Sequence, residues 1–170
     1  KSVMLQQDYS VAGTQKLIME VAAALWATEK GKALCGQLDK EQQALRIVQQ
    51  SRKVLFIYAR GTGTLMVAGK ETPLDRMITL AGARNAPDGI KDFKPLTAEA
   101  LVSANPDVIL LFDTGLQSVG GVNGLLKVPG IPQTTAGKQQ KIVAMDGQLL
   151  SGFGPRLIQA IRELSEKLNA

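Results

Sequence analysis

Arg60-Gly61-Thr62-Gly63 places a fixed positive charge and two glycines directly after an apolar run, Val54 to Tyr58. A guanidinium fork matches a carboxylate in a two-pronged way, and glycines let backbone approach a ligand closely. Arg156 stands beside a second glycine-rich stretch, Gly152-Phe153-Gly154-Pro155. Both arginines fall at edges of what reads as one sheet face. Two such forks near a cleft suit a ligand with carboxylate arms; as an alternative, each forms an ordinary surface ion pair.

Other chemistries find less support. The chain of 170 residues has no histidine, which removes the usual general base, proton shuttle and commonest metal ligand. Cys35 is the single cysteine, so no intrachain disulfide can form, and with no histidine to activate it the thiol reads as a small core-facing group. Ser151 lacks the glycine two positions earlier that a nucleophile elbow needs. Asp113 and Asp146 fall at predicted strand ends, where aspartate either forms a turn or cap or joins a paired carboxylate site of a small α/β enzyme. Gly61-Thr62-Gly63 has Met66 where a dinucleotide fingerprint needs its third glycine, and the Gly-Lys pairs at 69–70 and 137–138 lack the rest of a phosphate loop. The net charge of +5 is scattered without a basic run and with few aromatics, so nucleic acid is not expected. One bias remains: Gly115 to Met145 contains Lys127, Lys138 and Lys141 and no acid.

The elements that must position these residues read as follows. Val3 to Leu5 suggests a short strand. Ile18, Val21, Ala22, Leu25 and Trp26 form one broad helical face over residues 13–27. Leu34, Leu38, Leu45 and Val48 make a narrow stripe on a polar helix over 32–50, the pattern of a rod bridging two bodies. Val54 to Tyr58, Val108 to Phe112 and Lys141 to Met145 read as buried strands. Helices are expected from Thr72-Pro73, from Thr97 with Leu101 and Val102 inward, and from Pro155 to the end. Asp113-Thr114-Gly115 and 129–137 read as loops. The alternation predicts an α/β fold with a mostly parallel sheet flanked by helices. No apolar run approaches a membrane span.

Several segments in order then become informative. Met66-Val67-Ala68-Gly69, Lys94-Pro95-Leu96-Thr97, Asn105-Pro106-Asp107-Val108-Ile109, Val128-Pro129-Gly130, Met145-Asp146-Gly147 and Gly152-Phe153-Gly154-Pro155-Arg156 together resemble the periplasmic haem-binding proteins of bacterial ABC importers. These are two-lobed solute-binding proteins joined by one long helix. The resemblance implies a non-catalytic protein that carries haem, as a transported ligand, to an inner-membrane ABC permease. A ferric siderophore or cobalamin is the alternative ligand of the same class. It implies that residues 29–52 are the inter-lobe helix, 53–170 the carboxyl-terminal lobe and 1–28 a remnant of the amino-terminal lobe. Arg60 and Arg156 become candidates for the haem propionates, with Gly61, Thr62 and Met66 lining the cleft. Glu71 lies where the class often presents an acid to the permease, though a solvated helix-start glutamate fits as well. The iron-ligating tyrosine of the family is expected on the absent lobe. Tyr9 and Tyr58 do not match it, and the piece is expected to bind haem weakly. The face of Ile18, Val21, Leu25 and Trp26 would then be exposed and favour a homodimer or domain swap through helix 13–27.

Overall fold

The computed structural model describes residues 4–63 and 65–170. The strand expected at Val3 to Leu5 begins outside the described residues; Met4 and Leu5 are exposed and unpaired in any sheet.

Two helices open the chain. α1 (Val11–Ala24) starts at Ser10, whose hydroxyl accepts from the Gly13 amide, and α2 (Thr28–Ala44) follows after Trp26, which has a positive φ of 52°. α2 is displaced from the expected 32–50. It stops at Leu45, where the backbone becomes extended. The reason is tertiary. Leu45 and Ile47 pack against the core, and the Gln50 amide donates to the Gly82 carbonyl at 2.7 Å, contacts a continuing helix would forfeit. α1 and α2 approach closely at Gly31, where a Cβ would lie 2.6 Å from the Ala22 Cβ.

The sheet begins with β1 (Lys53–Ala59), buried from Val54 to Ile57. β2 (Leu65–Ala68) returns antiparallel beside it, with Tyr58 opposite Met66. α3 (Pro73–Leu80) is capped by the Thr72 hydroxyl, which accepts from the Asp75 amide. β3 (Arg84–Asn85) pairs parallel with the start of β1, and β4 (Phe93–Pro95) pairs antiparallel with β2. α4 (Ala98–Ala104) is capped by Thr97 and leads to β5 (Val108–Phe112), parallel to β1. α5 (Asp113–Ser118) and α6 (Gly121–Leu125) come next, then a 3-10 turn (Ile131–Gln133) and α7 (Thr135–Gln139). β6 (Ile142–Met145) pairs parallel with β5, and α8 (Gly147–Ser151) and α9 (Leu157–Asn169) close the fold. The fold is therefore a mostly parallel sheet flanked by helices, with order β4-β2-β1-β5-β6 and β3 on the edge of β1 below β2.

Side chains alternate along β1 between two apolar layers. Val54 and Phe56 face a layer with α3, α8, α9 and the inner sides of α1 and α2; Leu55, Ile57 and Ala59 face a layer with Leu101, Leu125 and Ile131. Both faces of the central strands are covered, so their backbone ends are the free part of the sheet.

Some local expectations are corrected. The helices α5 and α7 begin in stretches that read as loop, and β2, β4 and α8 are elements the sequence did not announce, because their side-chain periods are too short to register. Val102 points outward at 45% exposure, while Leu101 is buried. Ile18 is buried against the core, so the open face of α1 consists of Val21 and Leu25, joined by Trp26 at 94% exposure.

The glycines of α2 give a test of this packing. At Gly36 no neighbour lies within 4 Å of an added Cβ, so Gly36→Ala should stabilise the protein by about 0.5–1 kcal/mol through helix propensity. Gly31→Ala should instead destabilise it by roughly 1–3 kcal/mol, since the methyl group forces α1 from α2. Urea unfolding of both variants measures the contrast; equal effects would show that the two helices are not packed this way.

Candidate functional site

The parallel strands β1, β5 and β6 all end on one side of the sheet, and their following segments cluster there. Arg60 and Gly61 follow β1, and Asp113 and Asp146 follow β5 and β6. Arg156 directly precedes α9, whose far end returns to the starts of the strands, where Asn169 accepts from the Gln50 side chain. Both arginines therefore belong to the same rim, and both side chains are exposed.

Arg60 has a defined seat. Its guanidinium carbon lies 5.9 Å from the centroid of the Tyr58 ring, within cation–π range. Tyr58 in turn meets Phe112 and Phe93 edge to face, with centroids 6.2 and 6.4 Å apart. Phe112 continues inward to Phe56 at 4.8 Å. Met66 is paired with Tyr58 across the β1–β2 ladder and so shares its face. The result is a cationic lip on a half-buried aromatic floor. Sequence reasoning missed that floor; the signal was the two-residue spacing of Tyr58 and Arg60, which puts them on one face of a strand.

The Gly61 amide donates to the Ser118 hydroxyl at 2.9 Å, and that hydroxyl donates to the Gly115 carbonyl at 2.7 Å. Gly61 has a φ of 65°, available at no steric cost to glycine. The turn thus leans toward α5. Thr62 and Gly63 line a cavity of about 470 Å³ with Leu65, Leu96 and Lys127. Arg156 borders a separate shallow hollow of about 180 Å³ with Gln148, Phe153 and Leu157. The structure brings Arg60 and Met66 together around Tyr58, sets Thr62 in the neighbouring cavity, and leaves Arg156 in its own hollow.

Asp113 and Asp146 follow neighbouring strand ends, since Phe112 pairs with Met145, and Asp146 is engaged as a helix cap. Asp146 caps α8, accepting from the Leu149 amide at 2.8 Å, and Asp113 is exposed in the first turn of α5. Among the described residues, no cluster of three histidine, cysteine or acidic side chains could hold a metal ion. Cys35 contacts the Gln15 carbonyl at 3.6 Å, and burial followed by the Asp39 charge pushes its thiol above the ordinary value. A raised thiol is a poor nucleophile.

Glu71 stands apart from the rim on the turn after β2. Its φ is 68°, costly for a side chain with a Cβ, and the turn is tied down on several sides. The Gly69 and Lys70 amides donate to the Asp92 and Ile90 carbonyls, and Lys91 reaches the Glu71 carboxylate at 2.7 Å. No Cβ fits at Gly69, where it would meet the Ile90 oxygen at 2.3 Å.

This architecture is that of a solute-binding lobe, and the chain belongs to the periplasmic binding protein family, matched over residues 2–149. The family consists of binding proteins of ABC transporters, not enzymes, and implies an extracytoplasmic location. Among solved structures it is similar to the periplasmic haem-binding protein RhuT from Roseiflexus sp. RS-1 in apo form, at 44% identity and a TM-score of 0.88, covering 94% of this chain and 63% of that one. It is also similar to the periplasmic haem-binding protein BhuT in complex with two haems, at 39% identity and a TM-score of 0.91, covering 98% and 65%. An uncharacterized ABC transporter substrate-binding lipoprotein of Bacillus subtilis, YvrC, is 28% identical over 130 residues, which is 76% of this chain and 40% of that protein. The chain thus spans less than two thirds of the length of each. No helix among the described residues is long and apolar enough to cross a membrane.

The Glu71–Lys91 pair has a pH signature. The hydrogen bond from Lys91, then its charge, holds the Glu71 carboxyl below the ordinary value, and the same pair raises Lys91. Glu71's share of stability is present above its unfolded pKa and is lost as pH falls through the lower folded value. Lys91's share is present below its unfolded pKa and is lost as pH rises through the raised folded value. The tether therefore holds across the whole neutral range. Carboxyl NMR titration should find Glu71 below the usual range in the wild type and back near it in Lys91→Gln; an unmoved Glu71 would mean the pair is not formed in solution.

Proposed function

We propose that the protein is a periplasmic solute-binding protein that carries haem to an ABC import permease. The observation that carries this reading is the Arg60 guanidinium seated on the Tyr58 ring, above Phe93 and Phe112, where the parallel strands end. A flat aromatic ring with two carboxylates is complementary to such a surface, through stacking below and charge pairing at the edge. The similarity to RhuT and BhuT, both periplasmic haem-binding proteins, supports the same ligand. Arg60 and Arg156 bind the propionates, and Gly61, Thr62 and Met66 line the cleft. Tyr58 supplies the oxygen donor this rim can offer to ferric iron, a ligand class that haem accepts. The expectation of no iron ligand in this chain is replaced, in this reading, by Tyr58.

Residues 53–170 hold the whole sheet and form the carboxyl-terminal lobe, with 29–52 leading to it from an amino-terminal lobe to which 1–28 belong. Glu71 is the permease-docking acid. It is exposed, and the turn around it fixes its backbone, so the acid is offered from a defined point of the surface. The face of Val21, Leu25 and Trp26 is covered by a second copy of this chain. Trp26 alone offers on the order of 200 Å² of apolar contact. Val21 and Leu25 extend that apolar contact on each copy.

Hemin titration tests the ligand. The wild type should shift the Soret band saturably, Arg60→Ala and Arg156→Ala should each weaken binding by roughly 10-fold, and Tyr58→Phe should remove the phenolate-to-iron charge-transfer band. Absence of a Soret shift, with tight binding of a ferric siderophore or cobalamin, would replace haem by that ligand. Light scattering tests the dimer: a dimer that becomes monomeric in Trp26→Glu is expected, and a monomeric wild type at micromolar concentration would overturn it.

A further inference from the structure

The cavity beside the Gly61–Gly63 turn is not explained by the aromatic rim. It has a volume of about 470 Å³, within the range of small-molecule sites. Its walls are largely apolar, including Leu65, Pro95, Leu96 and Val128, and Thr62 stands on the β1 side. Lys127 supplies its cation. The backbone at Lys127 is fixed, since its amide donates to the Gly124 carbonyl at 3.1 Å and that of Val128 to Leu125 at 3.0 Å. Among the described residues its ammonium enters no ion pair, and no acid occurs anywhere from Gly115 to Met145. This is the member of the acid-free lysine stretch that borders the candidate site; Lys141 borders a polar hollow with Arg52 and Asp107 instead.

We propose that this cavity is a second compartment of the ligand site, in which Lys127 joins Arg60 on one of the two ligand carboxylates and the apolar walls receive the adjoining ring edge. The inference rests on the haem reading and extends it to a part of the surface outside the Arg60–Tyr58 lip. An apolar hollow carrying one unpaired cation discriminates among ligands of the same size. A neutral ring gains only the walls, whereas an acid also gains the charge pair. An anion lacking an apolar body gains little in return. Lys127 is therefore a specificity residue for amphiphilic carboxylates.

The test compares hemin with hemin dimethyl ester, in which both carboxylates are blocked, on the wild type, Lys127→Gln, Lys127→Arg and the surface control Lys40→Gln. Lys127 is exposed, so its replacement should leave the fold intact, which circular dichroism verifies. Lys127→Gln should weaken hemin binding about fivefold, Lys127→Arg should restore most of it, and Lys40→Gln should have no effect. For the ester, wild type and Lys127→Gln should bind alike. Unchanged hemin affinity in Lys127→Gln, or equal losses for acid and ester, overturns the Lys127 contact while leaving the haem reading in place. A wild type that gives no Soret shift overturns the haem reading and this contact with it.

Discussion

Burial of both faces of β1 and β5 is the constraint from which the rest follows. Val54 to Ile57 and Val108 to Leu111 are essentially inaccessible, so neither face of the central sheet can hold a ligand. A strand covered on both sides can offer function only at its ends, and parallel strands place all their equivalent ends together. One apolar requirement of folding thereby gathers Arg60, Gly61, Asp113 and Asp146 from distant parts of the sequence. The stabilising residues and the residues available for binding are separated along the same strands.

The charges at that rim contribute little to holding the fold. Exposed ion pairs contribute about 0–1 kcal/mol, and those present lie on helix surfaces and on the loops around Glu71. Arg60, Lys127 and Arg156 enter none of them. Arg60 rests on an aromatic ring instead, which orients the guanidinium without neutralising it. A cation held this way keeps its hydrogen-bond donors for an incoming anion. A cation already paired with a carboxylate would have to break that pair first.

The central strands and capped helices were legible in the sequence because their signals are strong and local. Val108 to Phe112 is a continuous apolar run, and Thr72-Pro73 and Thr97 each set a cap three residues before the amide they bind. The end of α2 was not legible, since nothing in Leu45 to Gln50 announces a backbone partner at Gly82. The antiparallel strand β2 was missed because its four residues carry no turn chemistry that separates them from a glycine-rich loop. At the site, Arg60 was visible by type and position. The aromatic floor was not, because Phe93 and Phe112 come from strands on opposite sides of β1 and meet Tyr58 only in the folded sheet.

That missed strand gives the fold its link between two surfaces. β2 begins beside Ala59, next to the glycine turn, and ends at Ala68, one residue before the turn that carries Glu71. Four residues of strand span roughly 13 Å and are hydrogen-bonded on both sides, to β1 and to β4. The glycine-turn rim and the Glu71 turn are therefore opposite ends of one doubly hydrogen-bonded strand and not independent loops. This accounts for the contrast between their backbones. The rim uses glycine at Gly61, where the chain turns over an open surface with no atom within 4 Å of an added Cβ. The far turn forces a glutamate into the same left-handed region and stitches it to Ile90, Lys91 and Asp92. Strain at Glu71 is sustained because its neighbours are over-determined. In the proposed reading, an acid on a tied-down turn suits a partner surface, and the freer glycine turn suits a ligand.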